Sequence, residues 1–115
     1  MYPDKKQLWV DALRSGQYEQ GQEYLHVGGE YCCLGVLCDI YSKETNRGGW
    51  ERTLHEGREY EFLSETSVLP YDVMVWAGIS PDNNTVYLFD AGELSALNDD
   101  GVSFAKIADI IEANL

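Results

Sequence analysis

Basic residues are almost absent from the second half of this 115-residue sequence. Residues 59–115 contain a single one, Lys106, against eleven Asp or Glu, whereas residues 1–58 contain seven Lys or Arg against nine acidic residues. Because proteins bind nucleic-acid phosphates mainly through Lys and Arg, we expect no direct nucleic-acid binding. The net charge of −12 favours instead a partner with a basic surface.

Long hydrophobic runs are also absent, which argues against a membrane span and membrane contact. The first residues, MYPDKKQLWV, lack the apolar segment of a secretory signal peptide. The number of cysteines, three, is odd, so they cannot all pair in disulfides within one chain. We therefore expect a cytoplasmic protein with reduced thiols.

The three cysteines, Cys32, Cys33 and Cys38, lie within one short segment, YCCLGVLCDIY. Zinc sites usually bring cysteines in pairs two to four residues apart, with a second pair elsewhere, and this spacing provides neither. Apolar residues would instead cover most of the circumference of a helix here, interrupted by Gly35 and Asp39. The segment therefore predicts a central core helix over residues 34–41, with no metal and no cofactor.

The rest of the chain predicts short helices and hairpins. Helices are indicated after Asp4, where Gln7 has the spacing of a capping box, after Leu69-Pro70, and after Ser103. One hairpin is indicated around Gly28-Gly29 and another around residues 55–57, and residues 42–49 are predicted as an exposed loop. The prediction is a single compact α+β domain over residues 1–115, with three to four helices on a small, mostly antiparallel sheet with two hairpins.

Four segments together resemble a largely uncharacterised family of small proteins encoded by tailed phages and prophages. They are WVDALRSGQYEQGQEYL, YCCLGVLCDIY, LPYDVMVWAGI and LNDDGVSFAKIADIIEANL, and the match is weakest over residues 42–66. The resemblance implies a phage origin and action in the cytoplasm of an infected bacterial cell. It implies no catalytic residues.

In that context we expect a non-catalytic binding protein that inhibits a host protein, as counter-defence inhibitors of the anti-CRISPR or anti-restriction type do. Acidic residues would steer association with a basic surface, and tyrosines would form the contacts that hold the complex together. The candidate partner-binding residues are Tyr18, Glu59, Tyr60, Glu61, Glu65, Tyr71, Asp72, Asp99 and Asp100. The sequence leaves open whether the chain forms a homo-oligomer.

Two other classes of function remain open. A protein that sequesters a small nucleotide signal would need converging basic residues, for which the candidates are Arg47, Arg52 and Arg58. A small hydrolase would need His26 or His55 within hydrogen-bond reach of a cysteine, serine or carboxylate, such as Cys32 or Asp39. The segment LNDDG leaves a weak divalent-cation site open, although a turn explains its composition equally well.

Overall fold

A long central helix organises the fold, as the cysteine segment predicts. The computed structural model describes residues 1–53 and 57–115, and in it α2 spans Cys33–Thr45. Every residue from Cys33 to Tyr41 is buried except Asp39. The three thiols are free and buried, so the cysteines contribute to the core.

Four further helices surround α2 in the described ranges: α1 (Pro3–Arg14), α3 (Tyr71–Ala77), α4 (Leu94–Asp99) and α5 (Phe104–Asn114). The first three of these pack against α2, and α5 packs on α1 and α4. Trp9 of α1 is completely buried, and its indole donates a hydrogen bond to the carbonyl oxygen of Cys33 at 2.9 Å. The α+β class is confirmed, and the part of the chain that the structure describes contains five helices where three to four were predicted.

The strands of the described ranges are short and form three small sheets, where one was predicted. They are β1 (Glu19–Gln20), β2 (His26–Val27), β3 (Glu30–Tyr31), β4 (Trp50–Arg52), β5 (Tyr60–Phe62), β6 (Tyr87–Leu88) and β7 (Gly92–Glu93). Strand β3 pairs parallel with β1 and antiparallel with β2, and the pairs β4–β5 and β6–β7 are antiparallel. Both predicted strand pairings are present, and β6–β7 is an additional hairpin. His55 lies outside the described residues.

Two predicted helix boundaries were wrong. Helix α1 begins at Pro3, with Tyr2 as its N-cap, so Asp4 lies inside the first turn. The fixed φ of proline suits the first helical position, which leaves no role for Asp4 as the cap. Helix α2 runs through residues 42–45, predicted as loop, and ends where Asn46 adopts a left-handed conformation.

The start of the last helix is confirmed. The Ser103 hydroxyl accepts a hydrogen bond from the backbone N–H of Lys106 at 3.2 Å, which is N-cap geometry. The start at Leu69-Pro70 is also confirmed, because α3 begins at Tyr71 and ends at Gly78 in the left-handed conformation. Within the described ranges, none of the helices has the length and apolar character needed to cross a bilayer.

Candidate functional site

A single bridge joins the first two sheets side by side. Val27 at the edge of β2 pairs with Glu59, just before β5, and the Gly28 N–H donates to the carbonyl oxygen of Arg58 at 2.9 Å. The strand segments therefore follow one another across the surface in the order β1, β3, β2, β5 and β4. We call this arrangement the five-strand layer.

One face of the five-strand layer carries a stack of rings. The His26 ring lies between Tyr31, at a centroid distance of 3.9 Å, and Tyr60, at 4.3 Å, and both pairs are nearly parallel. Trp50 meets His26 edge-on at 4.9 Å, and the guanidinium of Arg52 lies 5.4 Å from the Tyr60 ring centre. Ring stacking and cation–π contacts stabilise this arrangement, so these side chains join the two sheets.

The opposite face of the five-strand layer carries five glutamates. Successive side chains of a strand point to opposite faces, so the strand neighbours of the stacked residues point away from the stack. These neighbours are Glu19, Glu30, Glu51, Glu59 and Glu61. Glu19 pairs with Glu30 and Glu51 with Glu61 in the strand register, and no described residue forms an ion pair with any of the five. We call this surface the glutamate face.

Asp39 fixes the stack to helix α2. Its carboxylate, 14% exposed, accepts hydrogen bonds from the Tyr18 hydroxyl at 2.5 Å, from the Trp50 indole at 3.2 Å and from the Lys43 ammonium at 3.0 Å. Burial raises the pKa of Asp39, but the hydrogen bonds from Tyr18, Lys43 and Trp50 outweigh it, so the net pKa is lowered. Burial, followed by the bond to Asp39, raises the pKa of Tyr18 to about 12. The carboxylate is therefore a structural anion held in its charged form.

The cysteine thiols are not arranged for reaction. Burial raises the pKa of Cys32 to about 11 and raises those of Cys33 and Cys38 as well. Since the thiolate is the reactive form, these thiols are poor nucleophiles in the folded chain. The Cys32 sulfur caps α2 by accepting from the Gly35 N–H at 3.4 Å. Over the described part of the chain, no three His, Cys, Asp or Glu side chains lie close enough together to hold a metal ion.

A groove of about 320 Å³ lies between the C-terminal end of α2 and helix α3. Its lining consists of Tyr41, Thr45, Arg47, Tyr71, Asp72, Val75 and Trp76. Tyr41 is buried and meets Trp76 edge-on at 5.5 Å, whereas Tyr71 is 64% exposed and Val75 is 48% exposed. The groove thus combines aromatic walls with one basic and one acidic side chain.

The predicted partner-binding residues do not gather at one place. Glu59 and Glu61 lie on the glutamate face, and Tyr71 and Asp72 line the groove. Tyr18 and Tyr60 are half-buried and engaged in internal contacts, Tyr18 with Asp39 and Tyr60 with His26.

The remaining three acidic candidates lie elsewhere, Glu65 in an isolated bridge after β5 and Asp99 and Asp100 at the C-terminal end of α4. The Glu65 backbone pairs with that of Phe62, and Asp100 is exposed at the end of α4. The Asp99 carboxylate accepts from the backbone N–H of Glu23 at 2.8 Å, so it supports a turn.

The residues of the two alternative functions are also dispersed. The groove lining includes Arg47 but neither Arg52, which lies on the Tyr60 ring, nor Arg58, which lies against Gly28. His26 is 7% exposed, and its Nδ1 forms a hydrogen bond with the carbonyl oxygen of Glu30 at 2.9 Å. Among the described residues, no cysteine, serine or carboxylate shares a hydrogen bond with His26.

Several residues of the site were not singled out by the sequence. Glu19, Glu30 and Glu51 lie in the half of the chain with near-balanced charge, so counting acids along the sequence overlooked them. The position of Glu51 was detectable, because in WER the acidic residue lies between Trp50 and Arg52 with the alternation of a strand. Trp50 offered no comparable signal, since its contact with His26 joins separate sheets, whereas Tyr31 is the cross-strand partner of His26 within one sheet.

Comparison with known proteins gives one match. The model of a family described as a domain of unknown function, DUF8296, matches residues 1–115. The chain belongs to the DUF8296 family. No curated protein and no solved structure matches the chain. Membership of DUF8296 carries no activity with it, so the function has to be argued from the surface.

Proposed function

We propose that this DUF8296 protein is a non-catalytic binding protein that inhibits a host protein by docking the glutamate face on a basic surface. The observation that carries the proposal is the set of five glutamates that share one face of the five-strand layer without a basic partner among the described residues. Grouped charges of one sign steer a partner of opposite charge and raise its association rate.

The stability of the chain gains nothing from this grouping, which supports a role in binding. Glu51 and Glu61 are directly opposite each other in an antiparallel pair. Like charges in that position destabilise a sheet. A surface needed only for solubility could spread the same charge without this cost.

The phage origin and the inhibition of a host defence component rest on the resemblance of the sequence motifs. In that setting the basic partner would be a host protein whose own ligand is nucleic acid, since such proteins present basic surfaces. The glutamate face would then occupy the place of a phosphate backbone. Sequestration of a nucleotide is less well supported, because only one of the three candidate arginines lies in the groove.

Charge reversal on the glutamate face tests the proposal. The partner is first captured from host lysate and purified, and its binding is then measured by surface plasmon resonance. The variant carries Glu30→Lys, Glu59→Lys and Glu61→Lys. We expect its association rate to fall by about tenfold or more, within the range of electrostatic steering.

The matched control carries Glu44→Lys, Asp90→Lys and Glu93→Lys, which change the net charge equally on exposed side chains outside the five-strand layer. We expect the association rate of the control variant to fall much less. Urea unfolding verifies that both variants fold, and Glu61→Lys alone should raise stability by a few tenths of a kcal/mol, since it places opposite charges across from each other. If the association rate fell equally in the two triple variants, the result would contradict the proposal.

A further inference from the structure

The groove between α2 and α3 has the chemistry of a site for a cationic side chain. Three aromatic residues, Tyr41, Tyr71 and Trp76, line it, and the faces of such rings attract cations. Asp72 adds an exposed carboxylate that forms no ion pair with any described residue. Arg47 is the basic residue among the described lining residues, and the Lys5 ammonium lies 4.9 Å from the Trp76 ring centre.

We propose that this groove binds an arginine side chain of the basic partner. The inference rests on the proposed function, and it names a second contact of the same complex. The guanidinium would stack on the exposed ring of Tyr71 and pair with Asp72, while its methylene groups would pack on Val75. Arginine suits such a site better than lysine, because its planar guanidinium stacks on rings and is weakly hydrated.

The charge of the whole chain decides between a cationic and an anionic occupant. Arg47 and Asp72 offset each other within the groove, but the protein around them carries a net charge of −12. A phosphorylated ligand would have to enter against that field, whereas a basic segment is attracted by it. The chain also uses this chemistry within itself, since Lys5 lies 4.9 Å from the Trp76 ring centre and Arg52 lies 5.4 Å from that of Tyr60.

Several side chains of the groove are exposed, which supports binding of a partner protein there rather than occupation of the groove by other residues of the same chain. Tyr71 and Val75 lie four residues apart on α3, so they project from the same side of that helix. Both side chains are about half exposed or more. A partly exposed tyrosine beside an apolar wall is the kind of residue that dominates the energy of protein interfaces.

The test uses an acetylated and amidated tri-arginine peptide, with a tri-lysine peptide of equal charge and adenosine monophosphate as comparison probes. Binding to the full chain is followed by NMR, through the backbone amides and the Trp76 indole N–H. We expect the arginine peptide to shift the signals of Tyr71, Asp72 and Trp76, and to bind more tightly than the lysine peptide.

Two variants that remove opposite charges from the groove should change the affinity for the peptide in opposite directions. Asp72→Asn should lower the affinity for the arginine peptide by about fivefold, the upper range for an exposed ion pair. Arg47→Gln should raise that affinity, because it removes a like charge from the groove. Both side chains are exposed, so neither change is expected to disturb folding. Shifts limited to the glutamate face, or no effect of either variant, would overturn the inference. The inference would also be overturned if adenosine monophosphate bound in the groove and if Arg47→Gln lowered the affinity for that nucleotide.

The failure of this inference can be told apart from the failure of the proposed function. If the arginine peptide avoids the groove while the glutamate-face variant still loses the host partner, only the arginine site is wrong. If the peptide fills the groove but the glutamate-face variant binds the host partner normally, the proposed docking face is wrong.

Discussion

At the scale of single residues, Asp39 shows how one charge in an apolar helix fixes the sheets around it. Three donors from different parts of the chain, Tyr18, Lys43 and Trp50, converge on its carboxylate. Without the carboxylate at this position, the Tyr18 hydroxyl and the Trp50 indole, which donate to different oxygens, could not both keep a charged acceptor. Asp39 therefore couples α2 to the ring stack of the five-strand layer.

We predict that Asp39→Asn destabilises the protein at neutral pH by about 1–3 kcal/mol, the range for losing hydrogen bonds to a charged group. Because the folded-state pKa of Asp39 is lowered, its contribution is present above the unfolded-state pKa and is lost as the pH falls through the folded-state pKa. The difference between wild type and variant should therefore shrink below about pH 4. Urea unfolding across the acidic range measures it.

The control for this prediction is Asp90→Asn, at an exposed position. It should change the free energy of unfolding by less than about 0.5 kcal/mol at neutral pH. If Asp39→Asn behaves like the control, the hydrogen bonds of Asp39 contribute no net stability.

At the scale of elements, helix α2 and the backbone at Leu25 approach each other closely. A Cβ atom added to Gly35 would lie 1.8 Å from the carbonyl oxygen of Leu25, which is a backbone atom and cannot rotate away. The same carbonyl accepts a hydrogen bond from the N–H of Cys32 at 3.1 Å. Gly35 is thus the position where the first turn of α2 contacts the segment that leads into β2.

We predict that Gly35→Ala destabilises the protein by about 2 kcal/mol or more, because the added methyl group overpacks the core. In an open helix the same change would stabilise by about 0.5–1 kcal/mol, so the sign of the effect reports the close approach. Thermal and urea unfolding measure it. Gly29→Ala is the control, since a Cβ there meets nothing within 4 Å. A stabilised Gly35→Ala variant would contradict the packing described.

Elements that depend on local signals were predictable, and those that depend on distant partners were not. The apolar circumference of α2 and the Ser103 cap are local, and both predictions were confirmed. Helix α4 was missed because LNDDG has the composition of a turn. Within it, Asn98 is completely buried and contacts the Cys33 N–H and the Gly21 carbonyl oxygen, which are remote in sequence.

At the scale of the whole molecule, the distribution of charge in space differs from its distribution along the chain. The sequence indicates an acidic second half, but the glutamate face takes Glu19, Glu30 and Glu51 from the first half. Two acids of the second half, Asp109 and Glu112, share an ion pair with Arg14 of the first half. The glutamate face is therefore assembled through strand alternation rather than through a run of acidic residues.

The proposed association with a basic partner should weaken as the salt concentration rises. Raising the ionic strength from about 0.05 M to about 0.5 M shortens the Debye length roughly threefold, so the field of the glutamate face reaches less far into solution. We expect the association rate to fall steeply over this range, while the dissociation rate changes much less, because steering acts before contact.

The charge-reversed variant at Glu30, Glu59 and Glu61 should show a clearly shallower dependence on salt than the wild type. The variant at Asp72 should keep most of the salt dependence of the association rate and should dissociate faster, because its carboxylate acts within the formed contact. Stopped-flow or surface plasmon resonance measurements on the purified pair give both rates. An association rate that does not change with salt would mean that the glutamate face is a solvated surface without a role in binding.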